Sequence, residues 1–360
     1  MNSDLRRLLG ELVADPQIAE STRRRIVEAL FAELRGETAG TPSFPVDGER
    51  DQASPSVMAA GATTTSATRR LVCVHGICRH NQGFSDPWWD ALRGHVGGVY
   101  GAGGLNQERL EVIWSDLVNQ ASDSLGGALA SAAPSQSAAA SQSLRKQAAS
   151  EIRGALRDRV DQLDEPVEMI GSSDAPAGDP TVVGALSIPG FNCIDDFAIY
   201  LTSDSVRQAI LKRFTDVVRP LLASGVQVDV ISHSWGTVVA YEGLRELAIS
   251  SPSTPLVRNL FTVGSALSIG PVKSRLRPAN RDGRKPANTR RWINLDARGD
   301  VVGGELKGRP FAVDVEHLQL DPVGCFGLGI LVNPQCAHGS YFRPANVAVN
   351  RDIFARNILS

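Results

Sequence analysis

What the chain has little of narrows its class first. Aromatic residues fill only 6% of 360 positions, methionine occurs three times, and no uninterrupted apolar stretch reaches the length that crosses a bilayer. A membrane-spanning segment is therefore not expected. Neither sign of charge dominates, with 37 Lys and Arg against 39 Asp and Glu. The basic runs Arg23-Arg24-Arg25 and Arg290-Arg291 are too short for an electrostatic footprint, so no nucleic-acid partner is expected. The five cysteines, Cys73, Cys78, Cys193, Cys325 and Cys336, are odd in number and contain no C-x-x-C pair, which argues against a disulfide framework and against a zinc site. No metal or cofactor is expected. The opening Met1-Asn2-Ser3-Asp4-Leu5-Arg6-Arg7 carries charge and no apolar h-region follows it, so no signal peptide is read and the expected location is cytoplasmic.

What is present falls into three parts. Within residues 1–35, Leu5, Leu8, Leu9 and Leu12, then Ile26, Val27, Leu30, Phe31 and Leu34, have the spacing of amphipathic helices broken at Asp15-Pro16. This predicts a helical hairpin, a surface for a protein partner or self-association unless it packs back on its own chain. Residues 36–69, rich in Gly, Ser, Thr, Pro and Ala, read as a flexible linker. Residues 70–360 have the composition of one enzyme-sized domain.

Within that domain, short apolar runs predict strands at 71–74, 110–114, 226–231, 260–263 and 292–295, with a further apolar segment at 311–315. Helices are expected over 204–218, with Ser203 as N-cap and Pro220 just past its end, over 238–247, and over 344–359. Residues 182–188 have core-like composition. Residues 117–184 shift to Ala, Ser and Gln and read as an insertion. Leu144, Ala148, Ile152, Leu156, Val160 and Leu163 mark one apolar helical face inside it, before a polar loop at 171–180. Strands alternating with helices predict an α/β fold with a doubly wound, mostly parallel sheet.

The most informative segment is Val226 through Thr237, where an apolar strand runs into Ser232-His233-Ser234-Trp235-Gly236 and then a helix. A serine hydroxyl is a poor nucleophile until a tight strand-to-helix turn lifts it toward a general base, and the helix start aims free N–H groups at the reacting oxygen. The G-x-S-x-G pattern has Ser232 in place of its first glycine. The competing role for Ser234 is a helix N-cap. His75-Gly76-Ile77 ends the first strand, and the N–H groups of Ile77 and Trp235 are the candidate oxyanion hole; His75 is then structural. Downstream of the serine, Asp300 and His338 are the candidate acid and base. Asp296, nearer its strand end, competes with Asp300, and His317 competes with His338. Cys78 reads as a small buried or rim cysteine, Trp88 and Trp89 as anchors of a helix start, and the glycines between 97 and 104 as a surface loop.

Five motifs in this order, V-H-G-I at 74–77, S-H-S-W-G at 232–236, W-I-N-L-D at 292–296, D-V-V-G at 300–303 and H-G-S-Y at 338–341, make residues 70–360 resemble the α/β-hydrolase superfamily, on its lipase and esterase side. The resemblance implies an acyl-enzyme mechanism without a cofactor, with Ser234 attacking, His338 moving the proton and Asp300 orienting the imidazole. The insertion at 117–184 would then be a cap whose apolar face covers an acyl pocket, which favours a carboxylic ester or lipid substrate. Two alternatives stand beside it: a peptidase or amidase of the same fold, and an inactive binding module, which the replaced first glycine permits.

Overall fold

The computed structural model describes residues 69–121, 136–163, 193–250, 257–277, 282–308, 311–327 and 331–360. The helical hairpin, the linker up to residue 68, the core-like 182–188 and the polar loop of the insertion lie outside the described residues. All described residues belong to one unit of the chain, Thr64–Ser360.

Six strands form one all-parallel sheet: β1 (Arg69–Val74), β2 (Arg109–Val112), β3 (Gln227–His233), β4 (Val257–Val263), β5 (Thr289–Ala297) and β6 (Val315–Leu320). Their spatial order is β2-β1-β3-β4-β5-β6. Strand β1 begins at Arg69, so the expected linker ends one residue earlier. The predicted strands appear at their places, and the apolar 311–315 segment turns out to lead into β6 rather than form it.

Side chains alternate along each strand, so β-branched and aromatic residues pack on both faces. One face carries Val72, Val74, Val228, Val230, Leu260 and Trp292. It is covered by α2 (Gln136–Asp161), α3 (Ile194–Thr202), α4 (Asp204–Ala223) and α5 (Gly236–Ser250). The other carries Leu71, Cys73, Ile231, Phe261, Ile293 and Leu295. It is covered by α1 (Asp86–Val96) and by the C-terminal segment, a π-helical stretch Ala348–Ala355 running into a last turn at Arg356–Leu359. Each fully buried Val, Leu or Phe contributes about 1.5–3 kcal/mol by removal from water, which makes this double cover the source of cohesion.

Three expectations change in detail. The Ser203 hydroxyl does cap α4 by accepting from the Val206 N–H, but the helix runs past Pro220 to Ala223. Proline can sit there because the residues behind it need only end the helix, as Ser224 and Gly225 do by bonding back to Pro220 and Leu222. The final helical segment starts at Ala348 rather than at Pro344. Most of the predicted apolar face in the insertion is real, since Ala148, Ile152 and Leu156 of α2 are buried, whereas Leu144 is exposed.

The cysteines overturn the expectation that they do not pair: Cys78 bonds Cys193, Cys325 bonds Cys336, and Cys73 is free in the core. No spacing rule reveals the first pair, because its members are 115 residues apart and meet only when α3 is laid beside the turn after β1. Among the described residues no His, Cys, Asp and Glu cluster could hold a metal ion, and no helix is long and apolar enough to cross a membrane.

Candidate active site

The strand order reverses direction between β1 and β3, since β2 lies to one side of β1 and β4 to β6 lie beyond β3. In an open parallel sheet the crevice outside the carboxyl ends of the strands at such a switch point is where ligands bind. Gly76 follows β1 there, and Ser234 follows β3.

Ser234 has φ 58°, a left-handed conformation that a side chain adopts at a cost of about 1–3 kcal/mol and that persists only where the surroundings enforce it. They do so through backbone. The Ser234 N–H donates to the Val263 carbonyl of β4 (2.9 Å), while its carbonyl accepts from the Thr237 hydroxyl (2.6 Å) and N–H (3.1 Å). Ser265 donates in turn to the Thr237 hydroxyl (3.0 Å). The turn also presses on its neighbour: a Cβ on Gly236 would stand 2.1 Å from the His75 carbonyl oxygen, and one on Gly76 would stand 2.8 Å from Ser234 Cβ. Ser232, where the motif has glycine, fits because its buried hydroxyl donates to the Phe261 carbonyl of β4 (2.8 Å).

The N–H groups of Ile77 and Trp235 donate to no described residue, as an oxyanion hole requires. His75 is structural. Its Nδ1 donates to the Gly76 carbonyl (2.6 Å), its Nε2 accepts from the Trp114 N–H (3.1 Å), and burial followed by repulsion from His80 lowers its pKa to about 3. The disulfide of Cys78 ties the segment just after Ile77 to the start of α3.

Asp300 and His338 come together. His338 Nδ1 lies 2.9 Å from Asp300 Oδ1 and 3.0 Å from Oδ2, and both side chains are buried. Burial raises the pKa of Asp300, but the imidazole, the Tyr341 hydroxyl donating to Oδ2 (2.6 Å) and the Gly303 N–H outweigh it and hold the pKa down at about 2. The Val302 and Gly303 N–H groups both donate to Oδ1, at 2.9 and 3.1 Å. A carboxylate can only accept, so Nδ1 carries the imidazole proton and Nε2 presents a lone pair. His338 sits on a short helix, Pro334–Gly339. The pair packs against the turn after β4, where a Cβ on Gly264 would meet Asp300 Oδ2 at 2.6 Å and His338 Nδ1 at 2.9 Å, and His233, the residue before Ser234, joins it to the serine turn through the His338 carbonyl. Ser234 Oγ makes no hydrogen bond to a described residue. A catalytic contact of this kind is commonly long without substrate.

Asp296 is not the partner of His338. It is buried at the end of β5 and its Oδ1 has no hydrogen-bond partner. Burial and then the neighbouring Asp300 charge push its pKa well up. His317 lies within β6, opposite Leu295 of β5, and shares no hydrogen bond with Asp300 or Ser234. His233, beside the nucleophile, donates from Nε2 to the His338 carbonyl (2.8 Å); burial and then His338 lower its pKa to about 3. Trp88 opens α1 as expected and stacks on Phe342 with centroids 4.1 Å apart.

Sequence reasoning missed two contributors. Tyr341 supports Asp300 and accepts from the Ala297 N–H (2.8 Å), and its signal was its place three residues after His338. Arg159, on α2 of the insertion, donates to carbonyls of the loop that follows Asp300, and nothing in its spacing announces that reach. Neither the models of protein families nor the curated proteins contain a match to this chain, so the case for the site is carried by its own geometry.

Proposed function

We propose that the chain is a serine hydrolase of the α/β-hydrolase fold that cleaves carboxylic esters through an acyl-enzyme intermediate. One observation carries the reading: a serine held at positive φ on a strand-to-helix turn at the switch point, with a buried Asp–His pair tied to that turn through the bond from His233 to the His338 carbonyl. In this mechanism His338 Nε2 takes the Ser234 proton as Oγ attacks the carbonyl carbon. The N–H groups of Ile77 and Trp235 hold the resulting oxyanion. Collapse expels the alcohol with the proton from His338, and water repeats the sequence to release the acid and regenerate the serine.

Among the described residues of the insertion, the apolar face of α2 does not form a cover over an acyl pocket. The buried residues of α2, Ala148, Ile152 and Leu156, belong to the core cluster with α3, so this apolar face is spent on packing. A long-chain lipid needs an apolar wall from elsewhere in the chain, and the class proposed is the carboxylic ester.

Fluorophosphonate labelling tests the function. Wild type is expected to label, while Ser234→Ala and His338→Ala do not; folded wild-type protein that stays unlabelled supports the inactive binding-module reading instead. The cytoplasmic location expected from the sequence stands against the two cystines, which persist in oxidising compartments. We therefore place the protein in such a compartment. Thiol titration of denatured, unreduced protein isolated from its native compartment should find Cys73 alone, whereas five reactive thiols there restore the cytoplasmic reading.

A further inference from the structure

Arg159 lies on α2, far along the chain from every motif of the site, yet its guanidinium ends in the loop that carries the acid. Nη1 donates to the carbonyls of Val301 (3.2 Å), Val302 (3.1 Å) and Gly303 (2.6 Å) and to the Ser268 hydroxyl (3.0 Å); Nη2 donates to the Ser268 carbonyl (2.8 Å). Ser268 Oγ also lies 3.0 Å from both the Val302 and the Gly303 carbonyl oxygens and 2.9 Å from that of Ser265, and its one proton serves one of them at a time. Two of these carbonyls have a special relation to Asp300. The Val301 carbonyl shares a peptide plane with the Val302 N–H, and the Val302 carbonyl shares one with the Gly303 N–H. These are the two N–H groups that donate to Asp300 Oδ1. A cation on one end of a peptide dipole strengthens the donor at the other, because hydrogen bonds in series polarise one another.

We propose that Arg159 is a positioning residue through which the insertion helix sets the acid loop, fixing its three carbonyls and polarising the two amides that hold the Asp300 carboxylate. The inference rests on the serine-hydrolase reading. It gives the insertion a role at the site that does not depend on covering substrate. Removing α2 or tilting it would loosen the Asp300–His338 pair, even though α2 supplies none of its atoms.

The charged and titratable groups around the pair are few. Asp296 of β5 and Asp300 both face Arg159, and Glu316 of β6 faces Asp296. Tyr341 and His233 flank the pair from the other side, the first bonded to Asp300 and the second to the His338 carbonyl. Arg159 is thus the one cation among these groups when His338 is neutral. Its removal favours the protonated form of Asp300, so the acidic limb of the rate profile should move to higher pH.

The test compares full-length wild type with Arg159→Ala, Arg159→Lys and Ser268→Ala, using p-nitrophenyl acetate turnover across pH and hydrogen exchange at the Val302 and Gly303 amides. Arg159→Ala should lower kcat roughly tenfold to a hundredfold with KM nearly unchanged, raise the acidic limb and speed exchange at both amides. Arg159→Lys, which keeps the charge without the fork, should restore the limb but not the amide protection. Ser268→Ala should give the amide effect in smaller measure, and with Arg159→Lys it carries the test if Arg159→Ala does not fold. Wild-type kcat, pH limb and amide protection in a folded Arg159→Ala protein would overturn the proposal, as would a loss confined to KM. Absence of turnover in wild type defeats the serine-hydrolase reading instead. Amide exchange then decides the positioning role by itself: unchanged protection overturns it, and faster exchange upholds the control of the loop.

Discussion

Two turns meet at the carboxyl edge of the sheet, and they are held by different means. The turn after β3 that carries Ser234 is set through its backbone: the serine bonds through N–H and carbonyl, with short hydroxyl side chains such as Thr237 completing the bonds, and Gly236 sits against the His75 carbonyl with no room for a Cβ. The loop after β5 that carries Asp300 is set by side chains from distant elements, Tyr341 from the C-terminal region and Arg159 from the insertion. The first turn is fixed by close backbone contacts with the adjacent strand ends. The second depends on whether its remote supports arrive. At the mouth of the second loop two buried aspartates four residues apart, one closing β5 and one after it, have opposite electrostatics. Asp300 is ringed by donors and stays charged, whereas the Oδ1 of Asp296 has no partner and burial favours its neutral form.

The largest expected effect comes from breaking the second turn at its centre. Asp300→Asn should keep the fold but lower kcat by about 10⁴-fold, because an amide can donate to Nδ1 and select the wrong imidazole tautomer. Steady-state kinetics with far-UV circular dichroism as the folding control checks this, and a loss below tenfold would show that Asp300 does not orient the base.

Breaking the first turn by crowding comes next. Gly236→Ala should cost at least a hundredfold in kcat and about 1–3 kcal/mol of stability, since backbone must shift to admit the methyl group. Denaturant titration beside the kinetic measurement separates the two losses. Unchanged values would mean the turn yields easily, and the contrast between the two turns would then disappear.

The smallest effect sharpens the contrast between the two aspartates. A carboxyl with a folded pKa above its unfolded value contributes stability at low pH that is lost as pH rises from about 4, so Asp296→Asn should remove that loss and stabilise the protein at neutral pH. Asp300, with its folded pKa at about 2, has the opposite sign: its stabilisation is present above about pH 4 and disappears as pH falls toward 2. Thermal melts across pH should therefore show Asp296→Asn raising Tm at neutral pH with kcat within twofold of wild type. A fall in Tm there would mean that Asp296 is charged and paired with Arg159.

Much of this was legible from local pattern. The strand, turn and helix around Ser234 are contiguous, so the alternating Val226, Val228 and Val230, the small residues at the turn and the helix that follows could be read together. Ser203 announced the start of α4 in the same way. The competition between Asp296 and Asp300 was not decidable in sequence. One closes β5 and the other follows it, and what separates them is which carboxyl the His338 imidazole reaches from 38 positions further along the chain. The Cys78–Cys193 pairing, the burial of the α2 face and the reach of Arg159 escaped for the same reason, since each depends on elements brought together from more than 40 residues apart or on what a face meets once folded.

By itself, then, the sequence determined the alternation of strands and helices and the shape of the serine turn, because hydrophobic period and backbone sterics act over a few neighbouring residues. Only the tertiary structure decided which acid serves the histidine, which cysteines join and what steadies the acid loop. Hydrogen bonds and disulfides act over a few ångströms, and the distances that admit them are set by the packing of the whole sheet and its helices.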